Sequence, residues 1–324
     1  MKRLLHKNLN VIREYGVLGL PAIYTKAAKW HLLHYISSKK TRYRRVAVNG
    51  RPMLIDVSDR GISKALFIYG IREKDQMYII EQYLTPGATV LDIGANIGYY
   101  VIFAAGVAGA NADIIAYEPS ESNCELLRMN VELNRLSQRV KIYNAAVSDK
   151  TGRSKFYVSE KSNLHTLNPL YYKGACKGEE QKARSSEVNC VDIYEIIGRH
   201  RDIRFVRMDI EGHEVEVLNG LAKAVRDFHV FPDILFETHF LKYDIRDHDM
   251  SEVLENLFDV GYRPKIMTST DEKKTRIRER GYFPKFVINT DRVRRGIYEG
   301  VSPQDAVDFI CNIGGVRAVF LTKD

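Results

Sequence analysis

The stretch VLDIGANIGYY, from Val90 to Tyr100, decides the fold. An apolar run ends at Asp92, a turn with Gly94, Asn96 and Gly98 follows, and an apolar, aromatic segment then resumes. This pattern predicts a buried strand, a tight turn and a helix. Glycine is expected where a side chain would collide with a ligand, and amide groups at a helix start can face an anionic or zwitterionic molecule. The sequence therefore predicts a ligand site at this turn.

Two features of the sequence indicate the class of ligand: a departure from the dinucleotide-binding pattern and the spacing between the glycine turn and the next acidic residue at a strand end. Asn96 stands where the dinucleotide pattern GxGxxG has its second glycine, which weakens the case for a nicotinamide dehydrogenase. The next strand ends at Glu118, 24 residues after Gly94, where a carboxylate can accept two hydrogen bonds from a ribose diol. A nucleoside without a pyrophosphate fits this pair. Alternatively, Glu118 caps the helix expected to start near Ser120.

Strand-like runs alternate with helical patterns from Thr89 onward. Such alternation predicts an α/β fold with a parallel, doubly wound sheet, whose ligands bind at the carboxyl ends of the strands. The expected strands lie within 89–94, 113–119, 140–148, 203–210, 230–239, 261–268 and 316–323, and the helices after the first one within 126–136, 213–225 and 250–260.

Three segments lie outside this alternation. Residues 1–46 form a basic arm that is expected to be helical, and 47–324 form one domain. That domain carries insertions near 153–190, read as a hairpin with a mobile loop, and near 268–315. Long insertions on the ligand side of a scaffold are usual places for acceptor recognition.

The basic charge is concentrated in the arm. Residues 1–50 contain eleven Lys and Arg side chains and one acidic side chain, whereas the remainder carries 38 basic and 40 acidic ones. Such an arm can meet an anionic membrane, a nucleic acid or a phosphate-bearing acceptor. The other interpretation is a solvated helix that packs a stripe of Leu4, Leu5, Leu9 and Ile12 on the domain.

Cysteine usage and the N-terminus favour a cytoplasmic protein. Cys124, Cys176, Cys190 and Cys311 match no zinc or redox spacing and are expected to be free thiols. Polar residues interrupt the first apolar run, so no secretory leader is predicted. No membrane-spanning segment is predicted either, because the longest uncharged stretch contains the glycine turn.

Several motifs resemble one known family. LDIGANIGYY, AYEP, NAAVSD and MDIEGHEVEVLNGL are similar to the motifs of FkbM-type S-adenosylmethionine-dependent methyltransferases, and YGIREKDQMY resembles the segment before their first strand. The likeness covers about Leu66 to Phe240 and the closing GGVRAVFL. It implies a Rossmann-like class I methyltransferase fold with an antiparallel last strand, and S-adenosylmethionine as the cofactor.

The resemblance also implies cofactor-binding residues. The turn from Gly94 to Gly98, preceded by Asp92, would receive the methionine moiety, and Glu118 would hold the ribose. The other implied contacts are Asn144 and Ala145 beside the adenine, and Glu73 near the amino group of the cofactor.

Catalytic candidates lie at the ends of two later strands. Asp209 and Glu211 stand where a strand enters a helix, and Glu237 and His239 share a strand face because they are two residues apart. His239 is of a residue type that can take a hydroxyl proton near neutral pH. Alternatively, it is a structural histidine.

Three further points concern the same region. Glu211 and Glu214 have a second interpretation, in which they stabilise a helix N-terminus. His165 is a weaker candidate for reaching the acceptor. Asp209, Glu211, Glu237 and His239 could together bind a divalent ion, but their spacing is not diagnostic and no metal is predicted.

These observations lead to one expected function and two alternatives. The first is O-methylation of a hydroxyl on a sugar, a glycan, a lipid-linked glycan or a related small molecule, with peripheral membrane contact through the basic arm. The second is a nucleic-acid methyltransferase, which the lack of an NPPY-like motif and of an RNA-binding module disfavours. The third is a binding protein with a methyltransferase-like fold.

Overall fold

The computed structural model describes residues 2–37, 42–159, 161–168, 184–243 and 249–323. Within them the helices are α1 Lys2–Tyr15, α2 Gly19–Ile36, α3 Ile62–Tyr69, α4 Lys74–Tyr83, α5 Tyr99–Ala108, α6 Glu121–Leu133, α7 Ile193–Arg199, α8 Glu214–Phe228, α9 Met250–Asp259 and α10 Pro303–Val307, and a π-helical turn spans Asp308–Ile313. Short 3₁₀ turns span Ser162–Leu164, Phe240–Lys242 and Ile277–Arg280.

The strands are β1 Tyr43–Val48, β2 Arg51–Asp56, β3 Thr89–Ile93, β4 Ile114–Tyr117, β5 Val140–Tyr143, β6 Ala146–Ser148, β7 Gly152–Val158, β8 Arg184–Asp192, β9 Ile203–Met208, β10 Asp233–Glu237, β11 Tyr262–Ser269, β12 Phe286–Thr290, β13 Val293–Tyr298 and β14 Val316–Lys323. They form a hairpin of β1 and β2, a three-stranded sheet in the order β6-β8-β7, and one large sheet.

The large sheet confirms the predicted α/β fold. Its order is β12-β13-β11-β14-β10-β9-β3-β4-β5. Strands β5, β4, β3, β9 and β10 are all parallel. The last strand, β14, inserts between β10 and β11 and is antiparallel to both. From β3 the chain adds β4 and β5 on one side, and it later adds β9 and β10 on the other side of β3. The crevice at this switch point is where such sheets bind ligands.

Both faces of this sheet are covered. Val90 belongs to one buried cluster and its neighbour Leu91 to the other, because successive side chains of a strand point to opposite faces. Parallel strands need this two-sided burial, which explains their almost uninterrupted apolar sequences.

Helix starts lie close to the expected positions, whereas one expected strand differs. The first helix, expected from near Ile97, begins at Tyr99, directly after Gly98. Helix α6 begins at Glu121, as expected for a start near Ser120, because the side chain of Ser120 accepts a hydrogen bond from the Asn123 amide and caps it; the helix ends at Leu133 rather than Leu136. The run 140–148, expected as one strand, divides into β5 and β6, which belong to different sheets.

The two insertions extend the sheets. Strands β7 and β8 form the expected hairpin, and the segment between them includes 169–183, with Cys176, which lies outside the described residues. In the second insertion, β12 and β13 form a hairpin that adds two strands to the edge of the large sheet. Cys124, Cys190 and Cys311 are free thiols.

The arm forms two helices and leads into β1. In α1 the buried apolar side chain is Val11, whereas Leu9 is 48% exposed, so the expected stripe is wrong at Leu9. The side chains of Leu4 and Leu5 lie outside the described part of the chain. No helix among the described residues is both long and apolar enough to cross a membrane.

Candidate functional site

A cavity of about 340 Å³ opens at the carboxyl ends of β3, β4, β9 and β10. Of the predicted site residues, those that line it are Glu73, Gly94, Asn96, Glu118, Ala145, His165, Asp209, Glu211, Glu237 and His239. Asp92, Gly98, Asn144 and Glu214 are not among the lining residues. The parallel sheet thus brings together side chains that are far apart in sequence.

The glycine turn is tight for a different reason than expected. A Cβ atom on Gly94 would lie 2.3 Å from the carbonyl oxygen of Asp209, and one on Gly98 would lie 2.6 Å from Cδ1 of Leu127. Both glycines also have positive φ angles, of 79° and 90°. It is therefore the packing of the protein itself that requires glycine at these two positions.

The amide groups of this turn are already used. The amides of Gly94 and Ala95 donate to the carbonyl oxygen of Tyr117, and that of Gly98 donates to Ala95. The amide of Asn96 donates to Glu118, and that of Ile97 donates to the side-chain oxygen of Asn96. These five amides therefore donate within the protein, and the expectation that the turn receives the methionine moiety stays a prediction.

Glu118 lies at the end of β4 with only 4% of its surface exposed. Its Oε2 accepts the Asn96 amide at 2.8 Å. Its Oε1 accepts the Ser120 amide at 2.9 Å and the side-chain amide of Asn123 at 3.2 Å. Burial raises the pKa of Glu118 to about 7, although these hydrogen bonds lower it. The carboxylate is held in one orientation at the cavity wall.

An apolar part of the wall adjoins this carboxylate. It consists of Tyr117, Ala145, Ala146, Val147, Phe156 and Leu164. Asn144 points elsewhere, because its side-chain nitrogen donates to the carbonyl oxygens of Glu118 and Pro119 at 2.9 and 3.0 Å. Of the two residues expected beside an adenine, Ala145 is the one that borders the cavity.

Residues 161–168 cross the cavity and are tied at both ends. The amide of Ser162 donates to Oδ1 of Asp59 at 3.0 Å, and its carbonyl oxygen accepts the side-chain nitrogen of Asn96 at 3.3 Å. At the other end, the Thr166 hydroxyl donates to the carbonyl oxygen of Glu211 at 2.8 Å. We call this segment the strap. In the sequence this segment was distinguished only as part of the insertion near 153–190.

His165 is the neutral imidazole of the site. Burial lowers its pKa to about 4. Its Nδ1 accepts the amide hydrogen of Ser159 at 3.0 Å, so the remaining proton sits on Nε2, which is free to donate. His165 is thus a hydrogen-bond donor at the cavity.

His239 has a different electrostatic environment. Its Nδ1 lies 3.0 Å from Oε1 of Glu214, and its Nε2 lies 3.4, 3.5 and 3.8 Å from oxygens of Glu211, Glu237 and Asp209. Burial lowers the pKa of His239, but the charges of these carboxylates, Glu214 foremost, outweigh it and raise the pKa to about 9. These carboxylates favour the protonated imidazole at neutral pH, which is not the form that accepts a proton, and the role of His239 as proton acceptor stays a prediction.

The surrounding carboxylates are paired with cations. Lys242 contacts Glu211, and Arg317 contacts Glu237. Burial raises the pKa of Glu237, against the charge of Arg317. Oδ2 of Asp209 accepts from Arg207 at 3.2 Å, while its Oδ1 is buried without a hydrogen-bond partner. That oxygen lies 3.8 Å from Nε2 of His239, so it has an ion-pair contact and no hydrogen bond.

Three of these residues also form a candidate ligand set for a metal. Asp209, Glu211 and His239 each offer a ligand atom, and these atoms lie within 4.8 Å of one another. The convergence expected for these three side chains is thus present, with Lys242 already in contact with Glu211.

Two arginines of the site, Arg207 and Arg317, were not predicted from the sequence. Arg207 pairs with Asp92 at 3.4 Å and lies 3.9 Å above the centre of the Tyr100 ring. Arg317 donates to Oε1 of Glu73 at 2.9 Å. A charged residue inside a buried apolar strand is unusual, so VRM in β9 and VRA in β14 carried a signal for both.

Three of the eight non-glycine residues that have positive φ angles in the described part of the chain line the cavity. Glu73, Asn96 and Glu211 all line it, and their φ angles are 50°, 50° and 57°. This left-handed region is unfavourable for residues other than glycine, and it occurs most often where surrounding contacts impose it at functional sites. For Glu73 these contacts include Arg72 at 3.1 Å and the Tyr100 hydroxyl at 2.9 Å.

Known proteins resemble this chain in sequence and in fold. Residues 92–264 match the model of the family described as "Methyltransferase FkbM domain". The "31-O-demethyl-FK506 methyltransferase FkbM" of Streptomyces tacrolimicus is 26% identical over 202 residues, which cover 54% of this chain and 75% of that protein.

Two solved structures have a low overall similarity to this chain. M. jannaschii TYW2 in complex with AdoMet has 11% identity and a TM-score of 0.41, with 87% of each chain covered. The O-methyltransferase from Bacillus cereus in complex with SAH has 12% identity and a TM-score of 0.35, with 78% of this chain and 82% of that chain covered.

Proposed function

Because this chain belongs to the FkbM methyltransferase family, we propose that it methylates a hydroxyl group of a sugar, a glycan or a related small molecule. The cofactor is S-adenosylmethionine. The relative from Streptomyces tacrolimicus is named for methylation of an oxygen of FK506, which supports an oxygen acceptor. The observation that carries the proposal is Oδ1 of Asp209 in the cavity wall, which is buried without a hydrogen-bond partner.

The cavity has the groups that the cofactor requires. Glu118 ends β4, where a carboxylate can bind the ribose hydroxyls, and the apolar wall beside it, which includes Ala145 and Phe156, suits an adenine ring. The strap adds the Nε2 hydrogen of His165 as a donor. These residues would hold the nucleoside part of the cofactor.

The chemistry then requires alignment and proton removal. S-adenosylmethionine supplies, when bound, an electrophilic methyl group on a positively charged sulfur. Asp209 accepts the hydroxyl proton of the acceptor at Oδ1 as the oxygen–methyl bond forms. Arg207, which donates to Oδ2 at 3.2 Å, holds the carboxylate in place and leaves Oδ1 without a hydrogen-bond partner. Protonated His239 separates the charges of Asp209, Glu211 and Glu237 and thereby fixes the geometry of the base.

The contributions of these groups differ in size. Alignment of reactants supplies about 7–11 kcal/mol, whereas a general base contributes a factor of about 10² to 10⁴ in rate. Asp209→Asn should therefore lower kcat by roughly that factor and leave the affinity for S-adenosylhomocysteine nearly unchanged, because the nucleoside groups lie elsewhere in the cavity.

The test combines calorimetry with a methyl-transfer assay. The first step titrates S-adenosylhomocysteine into the full chain, and the second supplies methyl-labelled S-adenosylmethionine with sugars, glycans, hydroxylated macrolides and RNA. Asp259→Asn, at an exposed residue at the end of α9, is the matched control. Label transferred to RNA and not to hydroxyl compounds would overturn the proposed acceptor, and unchanged kcat in Asp209→Asn would overturn its role as base.

A further inference from the structure

The outer face of α2 is an apolar surface that the protein leaves uncovered. Ten large apolar side chains are strongly exposed in the described part of the chain, and seven of them lie between residues 9 and 36. Six belong to α2 or to the turn before it: Val17, Leu18, Tyr24, Leu32, Tyr35 and Ile36, which are 50–91% exposed. We call these six residues the α2 face.

The α2 face is distinct from the side by which the helix is attached. Trp30 is 1% exposed and its ring centre lies 5.4 Å from that of Phe67. Nδ1 of His34 lies 2.8 Å from the carbonyl oxygen of Val57. Ile23 and Ala27, on the same side as Trp30, pack on the same core. The inner side thus fixes the helix to the domain, whereas on the outer side the Tyr24 hydroxyl donates to Oδ1 of Asn8 at 2.6 Å and the apolar side chains remain exposed.

The charge around the α2 face has one sign. Lys26 and Lys29 are exposed on the helix, and Lys39 and Lys40 follow it in the sequence. No Asp or Glu occurs between Glu14 and Asp56. The Glu14 side chain itself is 1% exposed and pairs with Lys74 at 3.2 Å. Residues 15–55 therefore add no carboxylate to the surface around the α2 face.

We propose that the α2 face docks on the surface of an anionic lipid bilayer. Exposed aliphatic and tyrosine side chains on a helix flanked by lysines are suited to the boundary between head groups and acyl chains. Each lysine near an anionic leaflet adds attraction that falls with salt. A second protein copy is a poorer fit, because two such faces would bring like charges together. Docking does not depend on the proposed methyl transfer.

The docked helix adjoins the cavity. His34, near its carboxyl end, contacts Val57, and two residues later Asp59 accepts hydrogen bonds from the amide and hydroxyl of Ser162 at 3.0 and 2.9 Å. Ser162 belongs to the strap and lines the cavity. A bilayer bound at the α2 face would therefore lie on a helix that is connected to the cavity wall through Val57, Asp59 and Ser162.

Co-sedimentation of the full chain with vesicles tests the proposal. Vesicles of phosphatidylcholine alone are compared with equimolar phosphatidylcholine and phosphatidylglycerol. We expect binding to the anionic vesicles that weakens with salt, and roughly ten-fold weaker binding of the double variant Leu32→Asp with Tyr35→Asp. Lys26→Glu with Lys29→Glu should weaken binding as well. Phe283→Asp, at a residue 74% exposed on the domain, is the matched control.

Several results would overturn the proposal. These are no binding to anionic vesicles, equal binding to neutral ones, or wild-type binding by both double variants. Sedimentation velocity adds a further check, because a dimer that Tyr35→Asp dissociates would identify a second copy as the occupant. Thermal unfolding of each variant confirms that the exposed substitutions leave the fold intact.

Discussion

His239 and Glu214 are joined by a 3.0 Å contact between Nδ1 and Oε1. Glu214 is fully buried and also accepts the amides of Ile210 and Gly212, each at 3.2 Å. Burial raises its pKa, but the charge and hydrogen bond of His239 outweigh it and lower the pKa to about 2. Because this carboxylate is ionised, Nδ1 must donate to it, and Nε2 is directed to the other carboxylates of the site.

This pair predicts how stability depends on pH. The pKa of His239 rises from 6.5 to about 9 on folding. The contribution of the imidazolium to stability is therefore fully present below pH 6.5 and is lost as the pH rises through 9. We expect the free energy of unfolding in urea to fall more steeply over this interval for the wild type than for His239→Gln. Parallel curves for the two proteins would contradict the raised pKa.

Glu118 predicts a pH dependence of cofactor binding. Burial raises its pKa to about 7, and an ionised carboxylate accepts a hydrogen bond from a ribose hydroxyl more strongly than a neutral carboxyl group does. The affinity for S-adenosylhomocysteine should therefore increase as the pH rises through 7. Calorimetric titrations at a series of pH values measure this increase.

S-adenosylhomocysteine also has groups that titrate, so a matched variant is needed to identify the contribution of Glu118 to the pH dependence of binding. Glu118→Gln should bind more weakly at high pH and should lose the part of the pH dependence that belongs to the carboxyl group. Wild-type and variant curves that differ by a constant offset would exclude Glu118 as the group responsible.

The carboxyl ends of the strands could be predicted because the information is local. Buried strands followed by Glu118, Asp209 and Glu237 are visible in the sequence, and a parallel sheet brings such ends to one edge. The antiparallel β14 also agrees with the antiparallel last strand that the resemblance implied.

The electrostatic pairs could not be predicted in the same way. Glu73 and Arg317 are 244 positions apart, so no local pattern links them. The same applies to the glycine turn, where Asp209 and Leu127 determine the need for glycine. Which atoms remain without a hydrogen-bond partner depends on the packed structure. For this reason Asp209, whose Oδ1 has no hydrogen-bond partner, could be proposed as the base only from the structure.

The metal ligand set leads to a prediction about chelators. Glu211, Glu237 and Asp209 each already have a cation, namely Lys242, Arg317 and Arg207. Charge compensation is thus available without an ion, and methyl transfer should persist after treatment with EDTA. Activity lost on chelation and restored by Mg²⁺ would instead place a metal at Asp209, Glu211 and His239.

The ion pair of Asp92 and Arg207 predicts that Asp92 contributes to the stability of the fold and not directly to cofactor binding. Asp92 is 2% exposed, lies 3.4 Å from Arg207 and does not line the cavity. Removing one partner of a buried ion pair leaves an uncompensated charge and costs about 3–5 kcal/mol. Arg207→Met should therefore lower the free energy of unfolding by about that amount, and Asp92→Asn should lower it as well.

A double-mutant cycle distinguishes this role from cofactor binding. We expect the combination of Arg207→Met and Asp92→Asn to be less destabilising than the sum of the single changes, because the unpaired carboxylate is then absent. Asp92→Asn alone should also keep most of its affinity for S-adenosylhomocysteine at a temperature where it is folded, unlike Glu118→Gln. Additive losses of stability would contradict the proposed coupling of Asp92 with Arg207. A stable Asp92→Asn protein that no longer binds S-adenosylhomocysteine would identify Asp92 as a cofactor-binding residue.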